Sequence, residues 1–298
     1  MRVWLLRTMV FLLALIPARA LAWMSYPLGR LAWGFAKTRR QTTLQNLSAC
    51  FPDLDSEQRE RLGRESMRHF VLTGLEAGMG WAWSERRLRK LFVPAHDEEL
   101  ATQALAAERG VLCLVPHFGN WELMSHWAQF RVPLLALFKP GGGDAIQEVV
   151  IRNRTRFGAI MAPTTSSGLK QLYRHAREGN LVAVLPDQDP GRGKGEFAPF
   201  FGVPALTGAL SVRLIQKTGC TVLFAACRRV GPARYQACFV AADDEIYDPD
   251  TRVALAALNR GVERVVELEP AQYLWAYKRF KTGRRASRLS TDRHGSRT

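Results

Sequence analysis

The sequence predicts an α/β fold: a mixed or largely parallel sheet flanked by helices, with a membrane-anchoring helix at the N-terminus. Three observations lead there. Short apolar runs bounded by Gly and Pro alternate with segments of helical spacing. The 298 residues are 47% apolar, enough to bury a core. The first 52 residues contain no acidic side chain, yet include Arg2, Arg7, Arg19, Arg30, Lys37, Arg39 and Arg40.

The N-terminal segment, 1–40, is expected to contact a membrane. Between Arg7 and Arg19 runs an uncharged stretch, Thr8 to Ala18. It is shorter than the roughly 20 residues of a standard span. An uncleaved anchor would lie in the interface, or span with its arginines snorkelling to anionic headgroups. A cleaved signal peptide and a buried first helix are the other two readings. A globular domain, 41–281, follows. The tail, 282–298, is rich in Arg and Ser and is expected to be disordered.

Helical spacing covers Asp55 to Trp83 and Glu98 to Glu108. Val111 to Val115 is a buried strand, closed by Pro116. Asn120 is a good N-cap for a helix from Trp121 to Phe130. Leu134–Phe138 and Leu181–Leu185 read as further strands, with helices over 144–157 and 166–178 between them. Residues 186–204 read as one long loop, rich in Gly, Pro and Asp. A helix over 207–217, strands over 221–226 and 235–241, and a helix over 251–267 complete the chain. Sites in such sheets form at the carboxyl ends of strands. That rule points to Pro116–Glu122 and Pro186–Pro190.

At the first of these, His117 ends a strand and Glu122 lies in the first turn of a helix, with Gly119 permitting the tight turn. Glu122 folded back onto one ring nitrogen would fix the tautomer and raise the basicity of the other. The free nitrogen could then deprotonate a hydroxyl attacking a carbonyl. No GxSxG elbow is present, which suits direct transfer without an enzyme nucleophile. The plain alternative is an ordinary histidine beside a Glu stabilised by the helix dipole. Metal ligation by Glu122, His126 and His117 is a further reading, but HExxH is absent and no second cluster completes a site. No metal and no cofactor are expected.

Arg152, Arg154 and Arg156 could meet a phosphate through their guanidinium forks, or form a solvated basic face. Asp187 and Asp189 follow a buried strand and could support a site or cap a loop. Gly191, Gly193 and Gly195 lack the GK[ST] ending of a phosphate loop. The Phe197–Phe201 run could line an apolar groove or pack beneath the loop. Five cysteines with no CxxC pair read as reduced residues near the core.

The motifs also carry a family resemblance. His117-Phe-Gly-Asn-Trp-Glu122 resembles the signature of the late acyltransferases of lipid A biosynthesis, the lauroyl/myristoyl transferases. Asn46-Leu-Ser-Ala-Cys-Phe-Pro52 is similar to the segment after that family's anchor. Pro186-Asp-Gln-Asp189, Gly195 to Gly202 and Pro204 to Thr207 resemble its second signature, and Trp275 to Lys281 its closing one. The resemblance runs in order from the anchor to about Lys281. It implies a glycerol-phosphate-acyltransferase-like fold, an inner-membrane location facing the cytoplasm, and acyl carrier protein as donor. It makes His117 the base and Glu122 its partner. It places Arg154-Thr-Arg156 at a phosphorylated acceptor and makes Asp187 important, as a partner for an arginine or as support for the site. Arg152, Asp187 and Asn120 are further substrate-side candidates.

The net charge of +15 (42 Lys+Arg against 27 Asp+Glu) suits acidic carrier protein and anionic lipid. It also fits a nucleic-acid binder, but the basic tail lacks interleaved aromatics, so no nucleic-acid partner is expected. The alternative activities are a lipid hydrolase using the same dyad on water and an acyltransferase acting on a non-lipid-A acceptor. The stretch Lys139 to Asp144 departs from the family pattern, and the chain is short for it. Acceptor identity, acyl length and oligomeric state therefore stay open.

Overall fold

A computed structural model describes residues 2–141 and 144–280. The basic tail and Gly142–Gly143 lie outside the described residues. Eleven α-helices are described: α1 (Arg2–Leu15), α2 (Ala18–Phe35), α3 (Lys37–Cys50), α4 (Ser56–Ala82), α5 (Glu85–Arg89), α6 (Glu98–Ala106), α7 (Trp121–Gln129), α8 (Asp144–Arg154), α9 (Ser166–Arg177), α10 (Leu210–Thr218) and α11 (Thr251–Glu267). The strands are β1 (Val111–Leu114), β2 (Leu134–Phe138), β3 (Ile160–Pro163), β4 (Leu181–Val184), β5 (Gly195–Phe200), β6 (Val203–Gly208), β7 (Thr221–Gly231) and β8 (Arg234–Ala241).

Six strands form one mixed sheet in the order β3-β2-β4-β1-β7-β8. All neighbours are parallel except the β7–β8 hairpin. The central strands β1 and β4 are buried along their whole length, as two helical layers require. One core packs Leu112, Leu114, Val182 and Phe224 against α11 and α10; the other packs Cys113, Ala183 and Leu223 against α7, α6 and α4. The five cysteines are all buried and unpaired.

Three strands were not expected: β3, β5 and β6. β5 and β6 form a separate antiparallel hairpin within and just beyond the predicted loop. Its two-residue turn is Phe201-Gly202, with φ +48° and +73°. A tight hairpin turn of this kind normally announces itself as Asn-Gly or Asp-Gly, so a Phe in that position hides it. The Phe201 amide donates to Glu263 Oε1 at 2.6 Å, which helps hold the unusual backbone. β3 is only four residues long, lies at the sheet edge and ends in Pro163. The helix expected from Thr207 starts later, at Leu210, because Thr207 and Gly208 finish β6.

At the N-terminus, α1 and α2 pack on the long α4, and α1 also meets α8. Asp55 and Gln58 form a capping box that starts α4. No single helix among the described residues is long and apolar enough to cross a membrane. Residues Trp4–Leu15 and Ala18–Phe35 reach that composition together, but are bent by 114° at the break.

Candidate active site

β1 and β4 are parallel and in register, with Val111 opposite Leu181 and Leu114 opposite Val184. Each is followed by one apolar residue and a proline: Val115-Pro116 after β1, Leu185-Pro186 after β4. His117 and Asp187 therefore stand at equal offsets beyond paired residues and meet side by side. Asp187 Oδ1 lies 2.8 Å from His117 Nδ1, and Oδ2 accepts the His117 backbone N–H at 2.9 Å. Asp187 is buried. Burial pushes its carboxyl upward, but the neighbouring His117 and the hydrogen bonds it receives outweigh this and leave it below the usual value. An ionised carboxylate only accepts, so Nδ1 carries the proton of the neutral ring and Nε2 keeps its lone pair. The amide of Gln188 approaches that Nε2 at 3.1 Å. The Trp121 ring meets the imidazole edge-on, with centroids 5.1 Å apart.

This corrects the expected pairing of His117 with Glu122. Glu122 turns instead to Arg154, whose Nε donates to Oε2 at 3.0 Å and whose Nη2 donates to Oε1. The fork matches a carboxylate in two places, which one ring nitrogen cannot do. Burial raises the Glu122 carboxyl, but the Arg154 charge and hydrogen bonds outweigh it, with His126 and His117 adding to them, so it too is held low.

His117, Glu122, Arg154 and Gln188 line a cleft of about 440 Å³ at the carboxyl ends of the strands. Leu137, Val150, Ile151, Met161, Leu185 and Leu210 give it apolar walls, and Lys139 stands at its exposed rim. Its size suits a substrate chain rather than a lone ion.

Of the three arginines, only Arg154 reaches this cleft. Arg152 is exposed, and Arg156 turns to the Trp83 carbonyl and stacks on Phe157. Helical spacing turns Arg152 away from Arg154, and Arg156 lies past the end of α8 in a turn, so it does not share a helix face with Arg152. Asn120 is buried behind the turn, where Oδ1 caps α7 by accepting from Leu123 at 3.0 Å. Its Nδ2 donates to Glu76 at 2.7 Å, and the side chain does not line the cleft. His126 also faces inward, donating from Nε2 to the Gly80 carbonyl at 2.8 Å. Asp189 caps its own loop by accepting from Gly191 at 2.8 Å. Phe200 is buried and Phe201 packs on Phe51, so this run supports the hairpin and does not line the cleft.

The turn carrying His117 is held from several sides. The His117 carbonyl accepts from Leu274 at 3.0 Å, and the Gly119 amide donates to Gln272 O at 2.9 Å. The Asn120 amide donates to Cys227 O at 2.9 Å. Gly119 has φ +56°, and a Cβ there would stand 2.0 Å from the Cys227 carbonyl oxygen, so glycine is required twice over. Behind Asn120, Glu76 also accepts from Tyr235 at 2.5 Å and from Arg229 Nε at 3.1 Å, in a fully buried cluster. Sequence reading missed Glu76 and Gln188. Glu76 left a trace: it shares the buried stripe His69, Leu72, Glu76, Met79 of α4, and a carboxylate in such a stripe needs a partner.

The remaining motifs converge on the same region. Asn46 Nδ2 donates to the Trp275 and Tyr277 carbonyls at 2.8 and 2.7 Å. Arg279 donates to Leu206 O and Thr207 Oγ1 at 2.6 and 2.9 Å. The Asp189 amide then donates to the Tyr277 hydroxyl at 3.1 Å. Three segments distant in sequence thus brace the loop that presents Asp187.

The family model of the bacterial lipid A biosynthesis acyltransferases matches residues 1–282. The chain belongs to that family. It is an acyltransferase. Among curated relatives, the lipid A biosynthesis palmitoleoyltransferase of Escherichia coli K12 is 29% identical over 268 residues, covering 90% of this chain and 87% of the relative. The lauroyltransferase of the same organism is 26% identical over 281 residues, covering 94% and 91%. Its myristoyltransferase is 28% identical over 265 residues, covering 86% and 79%. This acyltransferase is thus similar along most of its length to enzymes named for three different acyl groups.

Proposed function

We propose that this enzyme moves a fatty acyl chain from acyl carrier protein to a hydroxyl of an anionic lipid, a lipid A precursor, at the cytoplasmic face of the bacterial inner membrane. The observation that carries the chemistry is the imidazole of His117, tied at Nδ1 to a buried carboxylate with Nε2 directed to the cleft. The acceptor hydroxyl takes the place of the Gln188 amide at Nε2. Nε2 removes its proton as the oxygen attacks the thioester carbonyl carbon. The tetrahedral intermediate collapses, the C–S bond breaks, and the imidazolium returns the proton to the departing thiolate. Asp187 stabilises the imidazolium between these steps. In this scheme Glu122 acts at one remove: its charge reaches His117 through space and it fixes the fork of Arg154. Arg154 and Lys139 then present positive charge to a phosphorylated acceptor.

The relatives' names support lipid A as acceptor. The membrane reading rests on α1 and α2. Trp4, Met9, Phe11, Leu12, Leu15, Trp23, Leu31 and Phe35 are all exposed there, an apolar surface that water does not favour. Because α1 packs on α8, and α8 supplies Val150, Ile151 and Arg154 to the cleft, a lipid acceptor would have a short path from bilayer to site.

Incubating the enzyme with labelled acyl carrier protein thioester and a lipid A precursor tests the reading. Acyl transfer by the wild type, lost in His117→Ala, is expected. Absence of transfer in the wild type, or full transfer in the variant, sinks it. A parallel sample without acceptor separates a hydrolase, which would release free fatty acid at an equal rate.

A further inference from the structure

A second cleft lies apart from the first, between α2 and α4. It has a volume of about 390 Å³ and shares no lining residue with the reaction cleft. Four arginines line it: Arg30 from α2, and Arg61, Arg64 and Arg68 from α4. We propose that this cleft binds the phosphate of an anionic bilayer phospholipid, a lipid that is neither donor nor acceptor.

The placement follows from helical geometry. On α2, Leu21, Ser25, Gly29 and Trp33 form the buried stripe facing α4. Met24, Leu28, Leu31 and Phe35 form an exposed apolar stripe on the other side. Tyr26 and Arg30, one turn apart, lie at the boundary between the two. On α4, residues 61, 64 and 68 recur at helical spacing along that same boundary. Gly29 lets the helices touch, since a Cβ there would stand 2.9 Å from Arg68 Cα. A lipid whose acyl chains lie along the apolar stripe would thus bring its headgroup to the guanidinium groups of Arg30, Arg61 and Arg64. That juxtaposition favours a bilayer lipid over free phosphate.

The arginines are available. Among the described residues no carboxylate forms a salt bridge with Arg30. Arg61 and Arg64 pair with Glu57 and Glu60 on their own helix at 2.6 and 2.9 Å, with 64% and 58% of their side chains exposed. Such exposed pairs contribute little and yield readily to a phosphate. Arg68 pairs with Glu65 and stacks on Tyr26, so it shapes the cleft more than it waits for a ligand.

This inference rests on the membrane reading above, and vesicle flotation of the full-length enzyme separates the two. Phosphatidylcholine vesicles report apolar insertion; vesicles that also contain phosphatidylglycerol report the phosphate site. The test variant carries Arg30→Gln, Arg61→Gln and Arg64→Gln. The control carries Arg213→Gln, Lys217→Gln and Arg252→Gln, an equal loss of charge on exposed positions of α10 and α11. The expected result is that the wild type prefers anionic vesicles. The test variant should lose at least about tenfold of that preference while still binding phosphatidylcholine, and the control should keep it. Equal losses in the two variants, or no loss in the first, overturn the proposal. Failure of the wild type to bind either vesicle overturns the membrane reading and this site with it.

Discussion

Asp187 holds His117 twice, once at Nδ1 and once at the backbone amide. Both contacts come from the register of β1 and β4, since each residue stands three positions beyond a paired strand end. The imidazole is therefore set by the sheet itself, more rigidly than a helix-borne partner could set it.

Replacing Asp187 by Asn should lower kcat for acyl transfer by about 10²-fold or more, since the ring loses both its fixed tautomer and the charge that supports the imidazolium. KM for the donor should change little. Steady-state kinetics with both substrates varied checks this; an unchanged kcat would remove Asp187 from the mechanism.

Arg154→Met leaves Glu122 largely enclosed without its cation. Melting should show a loss of about 2 kcal/mol, and the double variant with Glu122→Gln should recover part of it. Transfer should suffer mainly through KM for the acceptor. A purely additive double variant would mean that the two side chains do not act as a unit.

Glu76→Ala strands Arg229 in a buried position and frees the Asn120 amide. Breaking a buried pair in this way costs about 3–5 kcal/mol, so poor folding is expected at elevated temperature. Glu76→Gln keeps an acceptor for Asn120 and should retain more activity than Ala at equal folded fraction, as judged by circular dichroism. Equal activity of the two would separate Glu76 from the positioning of the turn.

Burial lowers His126 to about 4, with Arg156 and Arg154 assisting against the opposing pull of Glu122 and the Gly80 carbonyl. A histidine lowered in the fold takes up its proton first when unfolded. Its contribution is therefore complete above its ordinary value of 6.5, and is lost as pH falls from there towards 4. The gap is worth about 3 kcal/mol. His126→Gln retains a donor for the Gly80 carbonyl and should flatten the decline in melting temperature across this range. His69, lowered to about 2, is present in both proteins and cancels in the difference. Parallel pH profiles for the two proteins would refute this assignment.

Much of the sheet was legible because its central strands are short apolar runs closed by Gly or Pro. The hairpin β5–β6 was not, since its turn uses Phe201 in a conformation that Phe rarely adopts. The site was half legible. His117 stood out at a strand end, but its partner is 70 residues away and depends on strand register, which composition does not reveal. A clue was present all the same: Val111-Leu-Cys-Leu-Val-Pro-His117 and Leu181-Val-Ala-Val-Leu-Pro-Asp187 have the same pattern of apolar run, proline and polar residue. Two neighbouring parallel strands with identical endings must bring those endings together. Glu122, five residues from His117, looked closer in the chain than its side chain is in function, because Arg154 offers it a better-fitting fork.

Gly119 sits tightly between the Cys227 carbonyl and Gln272, and this fixes one wall of the cleft, the one that carries His117. That wall is locked to the sheet, so changes of side chain there cost the fold. The wall formed by Val150, Ile151 and Met161 belongs to a helix and an edge strand with fewer obligations. On the proposed reading of the cleft, substitutions along α8 and β3 would alter the chain it accepts while leaving the pairing of His117 with Asp187 in place.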